Sequence, residues 1–350
     1  MTAANPPAMP DVTPDVTPDV TPDVTPDVTP DVTPAALPAA LPAASTATSP
    51  APATRWGGPW LAPVRRGLAE VGDAALAGRW DACAARLSAL AAERGIVNED
   101  GHPIRFVDAR GVHADAYEAH IWRTGEVPTR ADAAGAWHDF FNALVWLAFP
   151  RTKARLNRLQ ARRIETDGVG ARRGGVRDAA TLFDENAVLV PCADARAAAA
   201  LRAFDWRALF VARRAEFADG MAVLGFGHAL MDKLRAPFKG VCAHAWVLEG
   251  GEAAAIVRAL RDAPLGAGLE PALAARLDAL AAASLDEASL RPERFTPLPV
   301  LGVPGWWPGN ADPAFYDDVR VFRPGRARRA GGRAPQPAPR RQPDSPRAGP

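Results

Sequence analysis

The densest apolar run of the chain extends from Trp137 to Phe149, where almost every position is hydrophobic. A helix that is hydrophobic on all sides belongs in the core of a protein, so this run predicts a buried central helix. Polar residues enter it only near its start, at His138, Asp139 and Asn142. These three share part of one helix face. They either suit an ordinary N-terminal turn or face a ligand.

Pro150 follows the apolar run and is favoured at the first position of a helix, so a second helix is predicted to begin there. With about 100° of rotation per residue, four arginines of this helix form one stripe: Arg151, Arg155, Arg158 and Arg162. This arginine stripe is either a solvated face or a surface for nucleic acid or phosphate. Lys153 and Asn157 point toward the apolar side instead. A buried lysine needs an anion nearby, either a protein carboxylate or a bound ligand.

Periodic patterns along the remaining chain predict further helices at 61–77, 79–94, 113–122, 176–185, 193–203, 205–218, 221–235, 251–263 and 269–283. Short apolar runs predict strands at 104–107, 187–190, 241–248 and 319–322. About four short strands against about ten helices favour a mainly helical α+β domain over a doubly wound sheet.

Proline-rich segments flank this domain. Residues 11–34 are six tandem copies of DVTP, and a proline at every fourth position prevents a helix and interrupts sheet pairing. We therefore predict a disordered arm over 1–54, a globular domain over 55–324, and a disordered tail over 325–350. The tail carries seven arginines and one aspartate, a composition that attracts nucleic acid without sequence preference.

Composition limits the class of protein. The formal net charge is +1, so overall charge favours no partner. The three cysteines lack CxxC spacing and leave one unpaired, which is typical of a reducing compartment. The start of the chain has no signal-peptide pattern, and no apolar window reaches the length of a membrane span. We expect a cytosolic protein without membrane contact. The cofactor and the oligomeric state are left open.

Histidines and carboxylates supply the candidate chemistry. Within 221–235, His228 and Asp232 lie one helical turn apart, and an aspartate at this spacing orients an imidazole and raises its basicity. His228 is then either a general base or a structural histidine with satisfied hydrogen bonds. His113 and His120 lie seven residues apart but have no acidic or cysteine ligand at helical spacing, so no metal site is predicted.

A second candidate face belongs to the helix predicted over 176–185. Arg177, Thr181 and Asp184 share one side of it, with Asp178 and Glu185 beside them. An arginine and three carboxylates within ten residues fit acid/base or metal chemistry. They fit a solvated face with ordinary ion pairs equally well.

Five motifs carry a family resemblance: WHDFFNALVWLAFPRTKARLN, RDAATLFDE, FGHAL, LPVLGVPGWW, and FYDD followed by VFRP. In this order they resemble the bacterial DUF3025 family, a domain of unknown function, over roughly residues 104–324. The resemblance implies no reaction. It implies that the polar motif residues are His138, Asp139, Asn142, Arg151, Lys153, Asn157, Arg177, Asp178, Asp184, Glu185 and His228.

These observations lead to one main hypothesis, a polar site for an anionic, phosphate-bearing ligand in a hydrolase or transferase. His228 oriented by Asp232, or else His138, acts as acid and base, while Asp184 and Glu185 position a cation or water. The residues expected to bind the ligand are Asp139, Asn142, Arg151, Lys153, Asn157 and Arg177. The alternatives are a non-catalytic protein that binds nucleic acid through the arginine stripe and the tail, and a structural or interaction module.

Overall fold

A computed structural model describes residues 56–110, 117–132, 135–167, 175–263 and 268–325. Its α-helices are α1 Arg65–Leu76, α2 Trp80–Glu93, α3 Tyr117–Thr124, α4 Ala136–Ala148, α5 Pro150–Asp167, α6 Gly175–Asn186, α7 Ala195–Arg202, α8 Phe217–Gly220, α9 His228–Lys233, α10 Gly251–Arg261 and α11 Pro271–Ala283. Short 3-10 helices occupy Pro59–Val64, Arg214–Glu216, Pro292–Arg294, Val300–Gly302, Pro308–Ala311 and Pro313–Asp317, and one π-helical turn covers Ala208–Ala212.

The strands are short and form two sheets. They are β1 Arg105–Asp108, β2 Glu126–Thr129, β3 Ala187–Pro191, β4 Leu224–Gly225, β5 Cys242–Leu248 and β6 Thr296–Pro299. β1 and β2 pair in parallel, and the larger sheet has the order β4-β3-β5-β6, with β3 and β5 parallel and both edge strands antiparallel to their neighbours. β3 is buried at every position, as expected for a strand covered on both faces.

The two central helices lie where the apolar run and Pro150 predict them. In α4 the side chains of Phe141 and Trp146 are almost fully buried, as is Phe149 at its C-cap. α5 begins at Pro150, and α3, α6 and α11 pack around it. The mainly helical α+β class is therefore confirmed for the described part of the chain.

A side chain from a distant helix holds the start of α5. The carboxylate of Asp278 in α11 accepts hydrogen bonds from the backbone N–H groups of Arg151 and Thr152, each at 2.9 Å. The hydroxyl of Thr152 donates a third bond to it at 2.7 Å. Asp278 is only 2% exposed. It supplies, from outside the helix, the N-terminal capping that a preceding Asp or Ser normally supplies.

Three predicted elements differ from the structure. Residues 221–235 are not one helix, because the chain forms β4 first and α9 begins only at His228. A Cβ at Gly227 would lie 2.4 Å from the backbone oxygen of Glu185, so the chain turns here at a spacing that glycine alone allows. The strand expected over 319–322 is a turn, and residues 205–218 form a π-helical turn and a 3-10 turn before the short α8.

Some predictions cannot be compared with the structure. The arm over 1–54, the tail beyond Gly325 and His113 lie outside the described residues. Within the described ranges, no helix is long and apolar enough to cross a membrane.

Candidate functional site

A cavity of about 380 Å³ opens among α3, α4, α5, α6 and α9. This volume is in the range of pockets that hold small molecules. Its lining consists of Ala109, Tyr117, Glu118, Pro128, Arg130, His138, Asp139, Asn142, Gln160, Ile164, Arg177, Thr181, Asp184, Glu185 and His228. Most of these side chains are polar, and they come from segments far apart in the chain.

One face of α6 forms a wall of the cavity. Arg177, Thr181, Asp184 and Glu185 occur at positions i, i+4, i+7 and i+8, and all four line it. Ala180 and Phe183 on other sides of α6 are fully buried. The helix therefore presents its polar face to the cavity and packs its apolar face into the core, as an amphipathic helix does.

A buried lysine organises the floor of the site. Lys153 is 4% exposed, and its Nζ donates to Asp184 Oδ1 at 2.6 Å and to Asn142 Oδ1 at 2.8 Å. The amide of Asn142 in turn donates to the Tyr117 hydroxyl at 2.9 Å. Lys153 does not line the cavity itself. Its anionic partner is thus a protein carboxylate, one of the two alternatives that the sequence left open.

The Asp184 carboxylate stays ionised despite its burial. Burial alone raises its pKa, but the positive charge of Lys153 and its hydrogen bond lower it, and the net pKa lies below the ordinary value. An ionised carboxylate in a buried position requires such compensation.

Two histidines meet above Asp184. Nε2 of His228 lies 3.0 Å from Nε2 of His138, and Nδ1 of His228 lies 3.6 Å from Asp184 Oδ2. Burial lowers the pKa of His228 to about 3, with contributions from Lys153 and His138, although Asp184 raises it. His228 is therefore neutral at neutral pH.

Glu118 forms the opposite wall. Its Oε2 accepts a hydrogen bond from Asn157 Nδ2 at 2.7 Å. Burial raises the pKa of Glu118, while Lys153, Asn157 and Arg177 lower it. Asn157 is 1% exposed, and its side-chain oxygen has no hydrogen-bond partner in the described part of the chain.

Arg177 differs from the other two cations of the site. Arg130 pairs with Asp139 at 2.8 Å, and Lys153 pairs with Asp184. Arg177 is 7% exposed, yet among the residues that the structure describes it has no hydrogen bond and no ion pair. None of its nitrogens is shielded from solvent without a partner, so the guanidinium keeps its accessible surface toward the cavity that it lines.

The structure brings together most of the predicted site residues: His138, Asp139, Asn142, Lys153, Asn157, Arg177, Asp184 and His228. Two expectations need correction. The side chain of Arg151 is exposed and lies outside the cavity, because Asp278 holds its backbone at the start of α5. Asp232 does not orient His228, because it pairs with Arg235 at 2.9 Å and the carboxylate beside His228 is Asp184.

Sequence reasoning missed several cavity residues, namely Tyr117, Glu118, Arg130 and Gln160. Gln160 follows Lys153 and Asn157 on the apolar side of α5 at helical spacing, which could have indicated it. Tyr117 and Glu118 begin a short helix with no local sign of burial. Only the tertiary fold reveals their position.

The remaining candidate features lie elsewhere. Within the described ranges, no group of three or more His, Cys, Asp and Glu residues has a geometry that could hold a metal ion. In the arginine stripe, Arg155 and Arg158 share the carboxylate of Glu99, at 3.0 and 2.6 Å. This single carboxylate offsets one of the four positive charges of the stripe.

The fold and the cavity define a mainly helical α+β protein in which polar residues from five helices converge. A family model described as "Protein of unknown function (DUF3025)" matches residues 104–326, which is more than half of the chain, and the chain belongs to this family. Every residue that lines the cavity lies within the matched region. Searches of curated proteins and of solved structures return no significant match.

Proposed function

We propose that the cavity binds a small ligand through an anionic group at Arg177, and that the histidine pair supplies acid/base catalysis for hydrolysis or group transfer. The observation that carries the proposal is the unpaired Arg177, 7% exposed and facing the cavity. Its guanidinium keeps its accessible surface toward the cavity, so an anionic ligand can bind there without first breaking an ion pair of the protein. A guanidinium also holds a carboxylate or a phosphate by two parallel hydrogen bonds.

The charges around the cavity narrow the class of ligand. Four carboxylates belong to the site: Glu118, Asp139, Asp184 and Glu185. Three cations, Arg130, Lys153 and Arg177, oppose them, so the formal charge of these seven groups is three minus four, or −1. Like charges at short range repel strongly in a poorly solvated cavity. This balance favours a ligand with one anionic group and hydrogen-bond donors elsewhere over a ligand with several phosphates.

Acid/base chemistry is supported by the position of the histidines. The pair lies in the same cavity as Arg177, and His138 is only partly buried. An imidazole within hydrogen-bond reach of a bound water or hydroxyl can accept its proton and return it to a leaving group. The three cysteines lack CxxC spacing, which is typical of a reducing compartment and supports a cytosolic location as part of the proposal.

A thermal-shift screen tests the proposal on the full chain. The panel contains inorganic phosphate, sugar monophosphates, nucleoside monophosphates, hydroxy acids and amino acids, each at low and high salt. A ligand at 100 times its Kd stabilises the protein by about 2.7 kcal/mol, which is a shift of several degrees for a protein of this size. Comparison of the phosphate ligands with the hydroxy acids and amino acids shows whether the anionic group of the ligand is a phosphate or a carboxylate.

Two variants locate the binding. Arg177→Met removes the free guanidinium, and we expect it to abolish the shift produced by the effective ligand. Arg258→Met makes the same change on the exposed face of α10 and should leave the shift intact. Equal shifts in wild type and Arg177→Met would contradict the proposal.

The alternative functions have their own outcomes in the same screen. A shift with short RNA alone that high salt erases would favour a nucleic-acid-associated protein, because phosphate contacts release counterions. Complete insensitivity to the panel would favour a structural or interaction role for this polar cluster. Either result would contradict the proposal of a small-ligand site.

A further inference from the structure

The two histidines of the site differ in what they can reach. His228 is 4% exposed, and its Nε2 is already engaged with His138 at 3.0 Å. His138 is only partly buried. Its Nδ1 has no hydrogen-bond partner among the described residues and is not shielded from solvent. Only His138 therefore offers a free ring nitrogen to a ligand in the cavity.

The proton between the two rings can be assigned from the surrounding charges. A contact of 3.0 Å between two Nε2 atoms requires that one ring donates an N–H and the other accepts it. Nδ1 of His228 faces the ionised Asp184 at 3.6 Å. A lone pair on Nδ1 would be repelled by this carboxylate, so Nδ1 carries the hydrogen. In the neutral ring Nε2 of His228 is then the acceptor, and Nε2 of His138 is the donor.

Lys153 keeps this order in place. Its Nζ donates to Asp184 Oδ1 at 2.6 Å, which fixes one oxygen of the carboxylate as an acceptor and leaves Oδ2 toward His228. The chain of groups thus runs in one direction: Lys153 donates to Asp184, His228 directs its Nδ1–H to Asp184, and His138 donates to His228. The ring of His138 ends the chain with the lone pair of Nδ1 exposed.

We infer that His138, through Nδ1, is the group that exchanges a proton with the ligand, and that His228, Asp184 and Lys153 are positioning residues. This inference deepens the proposed function and rests on it. It reverses the expectation that His228 is the better candidate for the base. An imidazole held in one tautomer by a carboxylate partner is a recurrent arrangement in enzymes, and here a second imidazole transmits the constraint.

The proton balance of the step is simple. A water or acceptor hydroxyl that attacks the ligand loses its O–H bond, and Nδ1 of His138 gains the N–H bond. The positive charge on the imidazolium is stabilised through its Nε2–H bond to neutral His228. The same proton then passes from Nδ1 to the leaving group. His138 returns to its neutral tautomer, and no further reactant is required.

Nitrogen-15 NMR of histidine-labelled full-length protein tests the assignment without any ligand. A ring nitrogen that carries hydrogen and one that carries a lone pair have well-separated chemical shifts, so the spectrum identifies each tautomer. His138→Gln and His228→Gln assign the resonances by their disappearance. We expect His228 as the Nδ1–H tautomer and His138 as the Nε2–H tautomer. The opposite pair of tautomers would overturn the inference.

Asp184→Asn provides the sharper variant. Lys153 requires an acceptor, so the new side chain should turn its oxygen to Lys153 and its NH2 group to His228. The backbone of Asp184 also favours a hydrogen on the His228 ring, so both tautomers should become mixed in this variant rather than reverse completely. Asp262→Asn, on an exposed carboxylate, is the matched control and should change nothing. If Asp184→Asn does not fold, the wild-type spectrum alone still decides.

Failure of this inference is distinguishable from failure of the proposed function. The tautomers are measured on the free protein, whereas ligand binding at Arg177 is measured by thermal shift. Wild-type tautomers as expected with no ligand found would support the positioning chain but contradict the proposed site. Ligand binding with reversed tautomers would support the site and assign the proton exchange away from Nδ1 of His138.

Discussion

The buried ion pair between Lys153 and Asp184 predicts a large and specific loss of stability. Lys153→Met removes the cation but keeps a side chain of similar length. Asp184, 8% exposed, is then left as a buried carboxylate without its main counter-charge. Removal of one partner of a buried pair typically costs about 3–5 kcal/mol, which is a large part of the net stability of a domain. Lys233→Met, at an exposed lysine of α9, is the matched control.

The double variant Lys153→Met/Asp184→Leu tests whether the loss of stability comes from the uncompensated carboxylate of Asp184. If the loss in the single variant arises from the uncompensated carboxylate, replacement of that carboxylate should recover most of it. The double variant should then be more stable than Lys153→Met, with a coupling energy of about 2 kcal/mol or more between the two sites. Urea unfolding of the wild type, the single variants Lys153→Met and Asp184→Leu, and the double variant measures these free energies.

The dependence on pH gives a second check with a defined sign. In the wild type the pKa of Asp184 lies below its ordinary value, so its contribution is present above that value and is lost as pH falls through the folded-state pKa. Without Lys153, burial raises the pKa of Asp184. As pH falls, Asp184 in Lys153→Met becomes protonated and no longer holds an uncompensated charge. The difference in free energy of unfolding between the wild type and Lys153→Met should therefore shrink between pH 7 and about pH 4. A stability difference between Lys153→Met and the wild type below about 1 kcal/mol, or one that does not change with pH, would refute the role assigned to this ion pair.

Three further predictions concern the frame of the site. Asp278→Ala should lower the free energy of unfolding by about 2 kcal/mol, because the N-terminus of α5 and the Thr152 hydroxyl lose their acceptor. Urea titrations should show a smaller loss of stability in Asp278→Asn. Gly227→Ala should cost about 2 kcal/mol, since its Cβ would meet the backbone of Glu185 at 2.4 Å, and calorimetry measures the lower Tm. The pKa of His228 is about 3 in the folded protein, so the free energy of unfolding should decrease as pH falls from about 6.5 toward 3. In His228→Gln, urea titrations should show a weaker dependence of this free energy on pH.

The central helices could be predicted from the sequence because their signals are local. An apolar run that ends at a proline identifies α4 and the start of α5 without knowledge of the fold. The shared face of Arg177, Thr181 and Asp184 follows from helical periodicity alone, and the structure places that face on the cavity. Local spacing thus predicted which side chains lie together on one helix.

Partners between helices could not be predicted in the same way. Lys153 and Asp184 are 31 residues apart, and the two histidines are 90 apart. Spacing along one helix indicated Asp232 as the partner of His228, but Arg235, in the turn after α9, pairs with Asp232. A polar residue can pair with several residues of similar chemistry, and tertiary packing determines which of them lies within hydrogen-bond distance.

The most direct measurement of the central claim is a crystal structure of the protein grown with tungstate and, separately, with the carboxylate or phosphate that shifts its Tm most. The account predicts density for the anion in the cavity, within hydrogen-bond distance of the Arg177 guanidinium, and its disappearance in Arg177→Met. Anions found only at exposed arginines such as Arg162, with an unoccupied Arg177, would contradict it.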